Sequence, residues 1–278
     1  DGISNYVLKS LVDALNDPDS PCPDKTYAFT DSEATGTDAI QQGIIYKTST
    51  VTPLGRAVLD DPAFTDPNDL GEQKNRPAIA ETFMDNETGG VFTAVVNHLK
   101  SKGSSCGEGD DHPLAGSCNL TRALAAQELA DWLDTDPTGS GDPDFLILGD
   151  LNSYDKEDPI DVLVDNGYID LLLQYEGEEA YTYVFDGQLG YLDYGMPNEA
   201  LLPQVTGATA WHINADEPDI LNYDTTYKRD AQDALYEVNP FRSSDHDPVI
   251  VGLTLTPEDQ EPEDYKIYMP LIARSYSN

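Results

Sequence analysis

Three short apolar runs constrain the fold of this chain more than any other feature of its sequence. The runs are VFTAVV, FLILG and PVIVGLTL, and their length and composition are typical of buried strands and too short for a membrane span. Each run meets polar residues at one end, namely Asn97-His98, Asp150-Leu151-Asn152 and Asp245-His246-Asp247. Strand ends can converge at one edge of a sheet, so these polar residues are candidates for a single site.

The rest of the pattern mixes helices with hairpins. Residues 3–16 and 119–135 have helical apolar spacing, and Asn119 is a candidate cap for the second helix. Strands are predicted at 27–29, 40–47, 51–59, 78–83, 91–99 and 145–149, and hairpins at 84–90 and around Asp186-Gly187. A short helix is predicted at 158–168, and residues 198–240 are predicted to be mostly loop. This mixture favours an α+β layered sandwich over a doubly wound sheet.

The net charge limits the possible partners. Lys and Arg total 15 against 52 Asp and Glu, which gives a formal charge of −37. Binding to DNA or a membrane through a simple basic patch is excluded, because phosphate attraction needs clustered Lys and Arg. Contact with phosphates through divalent cations remains compatible with this charge. The alternative is a hydrated acidic surface suited to salty or calcium-rich surroundings.

The three cysteines indicate an oxidising compartment. Cys106 and Cys118 bracket a Gly/Asp/Ser-rich loop that a disulfide would close, which leaves Cys22 free. No His/Cys cluster has zinc spacing, and no apolar stretch is long enough to span a membrane. The chain begins without Met and without a signal peptide, so we interpret it as a mature or truncated product.

Each polar strand end also has an ordinary structural interpretation. Asp150 and Asn152 can form a turn or a helix cap, and His98 can be a core-edge histidine. Asp193, in GYLDYG, can simply bond a backbone amide. Taken together, however, their oxygen atoms suit Mg²⁺, Mn²⁺ or Ca²⁺, and two histidines can serve as general acid or base.

The order of these motifs resembles a known superfamily. VVNHLKSKG, FLILGDLNSY, GYLDYG and RSSDHDPV are similar to the motifs of the endonuclease/exonuclease/phosphatase superfamily, which includes pancreatic deoxyribonuclease. KNRPAIAETF, CNLTRALAAQELADWL and WHINADEPDILNY resemble its bacterial extracellular nuclease branch. The resemblance covers roughly residues 1–255. It implies a four-layer α/β/β/α sandwich and metal-dependent phosphodiester hydrolysis with Mg²⁺ or Mn²⁺, with structural Ca²⁺ as a further option.

The resemblance also implies roles for individual residues. His246 would activate water or stabilise the attacked phosphate, and Asp193 would orient it. Asp245 would bind the metal, while Asp150 and Asn152 would position the nucleophile and a phosphate oxygen. The remaining candidates are the second histidine, His98, and two substrate-binding residues, Arg76 and Asn97.

Two metal-site residues of the superfamily pattern have no counterpart in the chain. They are an Asn on the first strand and a Glu just before the helix that residues 3–16 match. Glu33 lies in a loop that matches another part of the pattern, so it is no substitute. We therefore expect the domain to lack its N-terminal strand or strands. An upstream segment or another chain would then complete the sheet, whose edge would otherwise be open.

The composition changes after the last predicted strand. We assign residues 1–255 to the nuclease-like domain, 256–264 to an acidic, Pro-rich linker and 265–278 to a short apolar tail. The tail can be a frayed end or a flap on the same domain. Alternatively it can add a strand to a neighbouring copy, giving a homo-assembly, or serve as a sorting or attachment segment.

The leading hypothesis is a secreted or cell-surface bacterial nuclease that acts on extracellular DNA, with RNA as a further substrate. One alternative with the same fold is a phosphomonoesterase or lipid phosphodiesterase. The alternative from a different class is a non-catalytic assembly or surface protein that retains the nuclease fold.

Overall fold

A computed structural model describes residues 3–22, 25–32, 36–222, 226 and 228–257. Glu33, most of the predicted linker and the whole predicted tail lie outside these residues. The helices are α1 (Ile3–Asn16), α2 (Pro62–Thr65), α3 (Asn119–Leu133), α4 (Asp158–Asp165), α5 (Leu171–Tyr175) and α6 (Asp230–Asp233). The strands are β1 (Tyr27–Phe29), β2 (Ile45–Lys47), β3 (Val51–Leu59), β4 (Ala78–Asp85), β5 (Val91–His98), β6 (Phe145–Asp150), β7 (Tyr183–Phe185), β8 (Gln188–Gly190), β9 (Asp193–Pro197), β10 (Val205–Ala210) and β11 (Val249–Leu253).

A five-stranded mixed sheet organises the molecule. Its strand order is β3-β4-β5-β6-β9, with β5 and β6 parallel and the other neighbours antiparallel. The helix α3 supplies the long crossover that the parallel β5–β6 pair requires. Three two-stranded sheets accompany it, formed by β1-β2, β7-β8 and β10-β11.

One face of the large sheet packs on helices. A row of fully buried side chains crosses four strands in register: Ala80, Val95, Ile147 and Met196. The buried face of α3 belongs to the same core cluster and contributes the small and branched residues Ala125, Ala126, Leu129, Ala130 and Leu133. Small alanines on both elements allow helix and sheet to approach closely, which makes this layer the main core.

The other face of the large sheet meets the small β10-β11 sheet. Leu146, Leu201 and Leu255 are buried there, with Val251 and Leu253 of β11 packed against them. The predicted mixed α/β fold is therefore confirmed: a central mixed sheet lies between helices and a second sheet. In the described part of the chain, this second sheet has two strands.

Two local predictions were wrong, and the strand β10 was missed inside a segment predicted to be mostly loop. The strand predicted at 40–47 is reduced to β2. The predicted cap of α3 is also displaced by one residue. Cys118 holds the cap position with φ of 60°, while Asn119 lies inside the helix and donates to Asp158 over 2.6 Å.

The predicted disulfide joins Cys106 to Cys118, and Cys22 is free. The two cysteines are 12 residues apart in sequence, and the bond between them closes a loop directly before α3. None of the helices in the described part of the chain is long and apolar enough to cross a bilayer.

Candidate active site

The candidate site lies at one edge of the large sheet, where β5 and β6 end and the antiparallel strand β9 begins. In the β5–β6–β9 register, His98 lies opposite Asp150, and Asp150 lies opposite Asp193. Gly149 permits this arrangement, because its φ is +119° and a Cβ there would lie 2.1 Å from the carbonyl oxygen of Asn97. The sheet itself thus brings together three of the residues predicted from the sequence.

His246 joins this row from the turn before β11. Its Nδ1 lies 2.7 Å from Oδ2 of Asp193, and Oγ1 of Thr182 donates to the same oxygen over 2.7 Å. The ring of Tyr183 stacks on the imidazole, with centroids 4.5 Å apart and planes inclined by 26°. These contacts fix the orientation of His246, and the bond to Asp193 assigns a proton to Nδ1.

Asn152 holds the carboxylate of Asp150 from the turn after β6. Asn152 has φ of 49°, and its backbone N–H donates to Oδ1 of Asp150 over 2.7 Å. Its Nδ2 donates to Oδ2 of the same carboxylate over 3.0 Å and to the carbonyl of Leu99 over 3.1 Å. Nε2 of His98 lies 3.4 Å from Oδ2 of Asp150. Asp150 is therefore fixed on two sides before any ligand binds.

Burial sets the protonation of two of these groups. Burial, followed by the negative charge of Asp193, raises the pKa of Asp150 to about 7. Burial also lowers the pKa of His98 to about 4, with the positive charges of Arg76 and His246 acting in the same direction. At pH 7, His98 is thus a neutral hydrogen-bonding group, and Asp150 is near the midpoint of its titration.

His246 is shifted in the opposite direction. Burial acts to lower its pKa, but the hydrogen bond to Asp193 and the charges of Asp193, Asp150 and Asp245 outweigh burial and raise it to about 9. The site therefore concentrates negative charge strongly enough to hold a proton on a buried imidazole.

Asp150, Asp193 and His246 form a group that could hold a divalent cation. Each offers one ligand atom, and these atoms lie within 4.8 Å of one another. Carboxylate oxygens are the ligands that Mg²⁺ and Mn²⁺ prefer, and imidazole is compatible with the latter. The raised pKa of Asp150 also fits a cation, because two close, buried carboxylates are unfavourable without a positive charge beside them.

Arg76 lies on the His98 side of this group. Its Nη2 pairs with Oδ2 of Asp38 over 2.9 Å, and its charge lowers the pKa of His98. Its Nε is buried and has no hydrogen-bond partner among the described residues. A cationic side chain with an unused donor is suited to an anion beside His98.

Two predicted residues are not brought into the group. Strand alternation directs Asn97 to the face opposite His98, where it is 2% exposed and its Nδ2 donates to the carbonyl of Val95 over 3.2 Å. Asp245 is exposed and lies outside the Asp150, Asp193 and His246 group, although its charge reaches His246.

Sequence reasoning missed two residues that hold the site together. Thr182, which bonds Asp193, gave no signal, because a lone Thr is ordinary in a strand. Asp247 was visible in the quoted turn, but its task is structural. Its Oδ1 accepts three backbone N–H groups, at residues 213–215, and its Oδ2 lies 2.9 Å from Nδ1 of His212. This network fixes the turn that carries His246.

Comparison with known proteins places the fold. No protein-family model and no curated protein matches the sequence. Among solved structures, mannosyl-6-phosphatase Bt3783 of Bacteroides thetaiotaomicron VPI-5482 matches with a TM-score of 0.56 and 16% identity, over 90% of this chain and 82% of that chain. An endonuclease/exonuclease/phosphatase family protein of the same species matches with a TM-score of 0.49 and 14% identity, over 74% and 70%. The chain shares the fold of the mannosyl-6-phosphatase.

A further solved structure is that of D. rerio TDP2 with a single-strand DNA product. It matches with a TM-score of 0.45 and 15% identity, over 78% of this chain and 74% of that chain. At such identities the likeness concerns the fold alone. The chemistry of this chain must therefore be argued from its own residues.

Proposed function

We propose that this chain is a secreted phosphodiesterase that uses Mg²⁺ or Mn²⁺ to hydrolyse extracellular DNA. The observation that carries the proposal is the His246–Asp193 pair, joined over 2.7 Å beside Asp150. An imidazole held by a carboxylate next to a cation site can activate water for attack on a phosphate. The Cys106–Cys118 disulfide supports export to an oxidising compartment.

In the proposed reaction, His246 is the base. Because Nδ1 is engaged with Asp193, Nε2 is the atom that takes a proton from the attacking water. Asp193 stays ionised and stabilises the imidazolium that forms. Arg76 and His98 donate hydrogen bonds to the non-bridging phosphate oxygens, and Asn152 keeps Asp150 in position.

The cation would be held by the carboxylates of Asp150 and Asp193, with Asp245 as a further ligand from the turn that carries His246. It would supply positive charge that offsets the charge of the phosphate. The same positive charge would lower the pKa of His246 from about 9 towards the range in which a base works at neutral pH. Weak, cation-dependent substrate binding is expected from a protein whose formal charge is −37.

Phosphomonoester hydrolysis is the second candidate. It is favoured by the match to a protein named mannosyl-6-phosphatase over 90% of this chain. A base, a cation and a phosphate-binding arginine can promote hydrolysis of a phosphodiester or of a phosphomonoester. Which of the two is the better substrate therefore depends on the groups that surround the phosphate.

Cleavage assays separate these candidates. Plasmid DNA, bis(p-nitrophenyl) phosphate and p-nitrophenyl phosphate are each incubated with the protein in Mg²⁺, in Mn²⁺ and in a chelator. We expect cleavage of the two diesters, dependence on the metal, and a loss of roughly 10²- to 10⁴-fold in His246→Ala. His112→Ala, in the exposed loop before α3, is the matched control and should retain activity.

Faster hydrolysis of the monoester than of either diester would instead favour the phosphatase. Absence of hydrolysis of all three substrates by a folded protein would favour a non-catalytic assembly protein with this fold. Activity that survives His246→Ala would remove the proposed base.

A further inference from the structure

A cluster of cations interrupts the acidic composition beside the candidate site. Five of the 15 Lys and Arg residues come together around the end of β5: Lys74, Arg76, Lys100, Lys102 and Arg122. Burial lowers the pKa of Lys100, and the charges of Arg76, Lys74 and Arg122 lower it further. Like charges held this close repel each other, so other contacts must keep them in place.

Two buried side chains hold the backbone of Lys100. Its N–H donates to Oδ1 of Asn75 over 2.9 Å, and its carbonyl accepts from Nη1 of Arg122 over 3.0 Å. Asn75 is 1% exposed and Arg122 is fully buried, so neither bond competes with bulk water. The position of Lys100 is therefore fixed by the core and not by the surface.

The loop that carries Lys74 is anchored in the same way. The N–H groups of Lys74 and Asn75 both donate to the carbonyl of Thr65, over 2.7 and 3.0 Å. Nδ2 of Asn75 donates to the carbonyl of Phe64 over 2.9 Å. Asn75 thus ties the Lys74 loop to α2 on one side and to Lys100 on the other, which locks two basic segments next to each other.

Two lysines of this cluster are available to a ligand. Lys102 is committed to Glu157, and Arg122 is buried. By contrast, within the described part of the chain Nζ of Lys100 donates to neutral oxygens, the carbonyl and hydroxyl of Ser101, over 3.0 and 3.2 Å. Lys74 pairs over 2.9 Å with Glu72, whose side chain is 77% exposed and easily displaced.

The cluster adjoins the reacting centre. Arg76 and Asp38 each affect the pKa of both His98 and Lys100, so all four lie in one neighbourhood. Leu99, between the two, is 1% exposed, whereas His98 and Lys100 are both partly exposed. Two residues of chain span at most about 7 Å, which is comparable to the spacing of neighbouring phosphates in an extended strand.

An aromatic surface lies next to His246. Tyr183, stacked on His246, is followed by Phe185 with a centroid separation of 6.4 Å and an interplanar angle of 18°. Phe185 is 59% exposed at the β7-β8 hairpin. A cationic cluster and aromatic rings around one site suit a strand that offers both phosphates and unstacked bases.

We infer that Lys100 and Lys74 bind the phosphate adjacent to the one that is hydrolysed, and that the substrate is a single-stranded polynucleotide segment. The inference rests on the proposed phosphodiesterase function for the location of the reacting phosphate. It goes further by naming a second phosphate position, which an isolated phosphomonoester cannot fill.

Salt-dependent binding tests this inference without requiring catalysis. Fluorescence anisotropy measures the Kd of a fluorescein-labelled 12-mer single-stranded DNA in Mg²⁺ at 50 and 200 mM NaCl, in a His246→Ala background. Loss of one phosphate contact reduces the slope of log Kd against log salt by about 0.7 for a single strand. Adding Lys100→Ala or Lys74→Ala should therefore weaken binding roughly threefold more at 50 mM than at 200 mM.

Control variants test whether a loss of binding is specific to the charge at these positions. Lys9→Ala removes an exposed lysine on α1 that pairs with Asp13, and it should leave the slope unchanged. Lys100→Arg should restore binding, while Lys100→Gln keeps the length of the stem and should reproduce the loss. Circular dichroism melts confirm that each variant is folded.

An unchanged slope in Lys100→Ala and Lys74→Ala, or absence of binding by the 12-mer, would overturn the inference. Equal binding of inorganic polyphosphate with the same dependence on Lys100 would also overturn it, in favour of a general polyanion site. Failure of the proposed function is a separate result, namely absence of hydrolysis by the wild-type protein. If the 12-mer still bound with the expected lysine dependence, Lys100 and Lys74 would remain phosphate contacts of a single-strand binding site, and only the hydrolysed phosphate beside them would be lost from the account.

Discussion

Gly149 sets the geometry of the candidate site at the scale of one residue. Its φ of +119° is rarely adopted by other residues, and a Cβ would meet the carbonyl oxygen of Asn97 at 2.1 Å. The β5–β6 pairing that aligns His98 with Asp150 therefore depends on the absence of a side chain at this position.

We expect Gly149→Ala to lower the free energy of unfolding by about 3 kcal/mol or more, because backbone strain and overlap act together. Urea unfolding followed by circular dichroism measures the change. Gly71→Ala is the matched control: its φ is +76° but no atom lies within 4 Å of the added Cβ, so it should cost only about 1 kcal/mol. Equal effects of the two substitutions would contradict the account of Gly149.

Strand alternation explains why His98 lies at the candidate site while its neighbour Asn97 does not. The sequence predicted that His98 and Asp150, which follow apolar runs, would lie close to Asp193 of GYLDYG, and the strand register places the three side by side. It also suggested Asn97, but consecutive strand residues point to opposite faces, so only one of the two can enter the site. The run of apolar residues that precedes them does not reveal which face is the site face.

Glu81 is a buried acid on β4 that the candidate site does not use. It is 5% exposed, and burial raises the pKa of its carboxyl despite the positive charge of Arg56 on the neighbouring strand. Below pH 4.5, the acid is protonated in both folded and unfolded chains. As the pH rises through the raised folded pKa, the folded state must bury a charge, so stability is lost there and stays lower above it.

Glu81→Gln should therefore be more stable than the wild-type protein at pH 8, and the difference should shrink towards pH 4. Melting temperatures of the two proteins, compared over this range, give the result. The exposed Glu87→Gln in the β4-β5 turn is the control for a general loss of negative charge. A pH-independent difference for Glu81→Gln would show that burial does not perturb this carboxyl.

At the scale of elements, apolar runs located helices and strands more accurately than capping residues or the patterns of short strands did. The strands β3, β4, β5, β6 and β11 and the helices α1, α3 and α4 were all located from periodicity. The strand β10 was missed because VTGATA consists of small and polar residues that also suit a loop. Its strand conformation depends on pairing with β11, a tertiary contact that local sequence does not contain.

The helix α1 shows a further limit of periodicity. Helical spacing in residues 3–16 places Val7 and Leu11 on its apolar face, yet these side chains are 59% and 47% exposed, while Val12 is buried. Periodicity identified the helix correctly. It could not specify the packing surface, because that depends on the neighbouring strand β1.

The disulfide before α3 should stabilise the protein by restricting the unfolded chain. Its two cysteines are 12 residues apart in sequence. For a loop of this length, the loop-entropy account gives a stabilisation of about 3 kcal/mol. We expect the Cys106→Ser/Cys118→Ser double variant to melt roughly 6–10 °C lower. Cys22→Ser is the control and should melt close to the wild type. Reaction of three thiols with a native-state thiol reagent would show that the bridge is absent.

At the scale of the whole molecule, the order of motifs predicted the fold before any single motif could predict a function. GDLN or SDH alone is not specific, whereas four motifs in a fixed order predicted a layered fold of helices and sheets, which the structure confirms. The expected upstream Asn and Glu stay a prediction. The cationic cluster around Lys100 was not predicted, because it joins three segments that are distant in sequence, at residues 74–76, 100–102 and 122, in a chain with a strong overall negative charge.

The central claim is that His246, held by Asp193, activates water for attack on phosphorus. Hydrolysis of a defined oligonucleotide in H₂¹⁸O, followed by mass spectrometry of the products, tests it most directly. The account predicts one ¹⁸O atom in the product phosphate, a requirement for divalent metal, and a rate lower by roughly 10²- to 10⁴-fold in His246→Ala. Incorporation of ¹⁸O into the departing alcohol, or full activity of the folded His246→Ala protein, would contradict it.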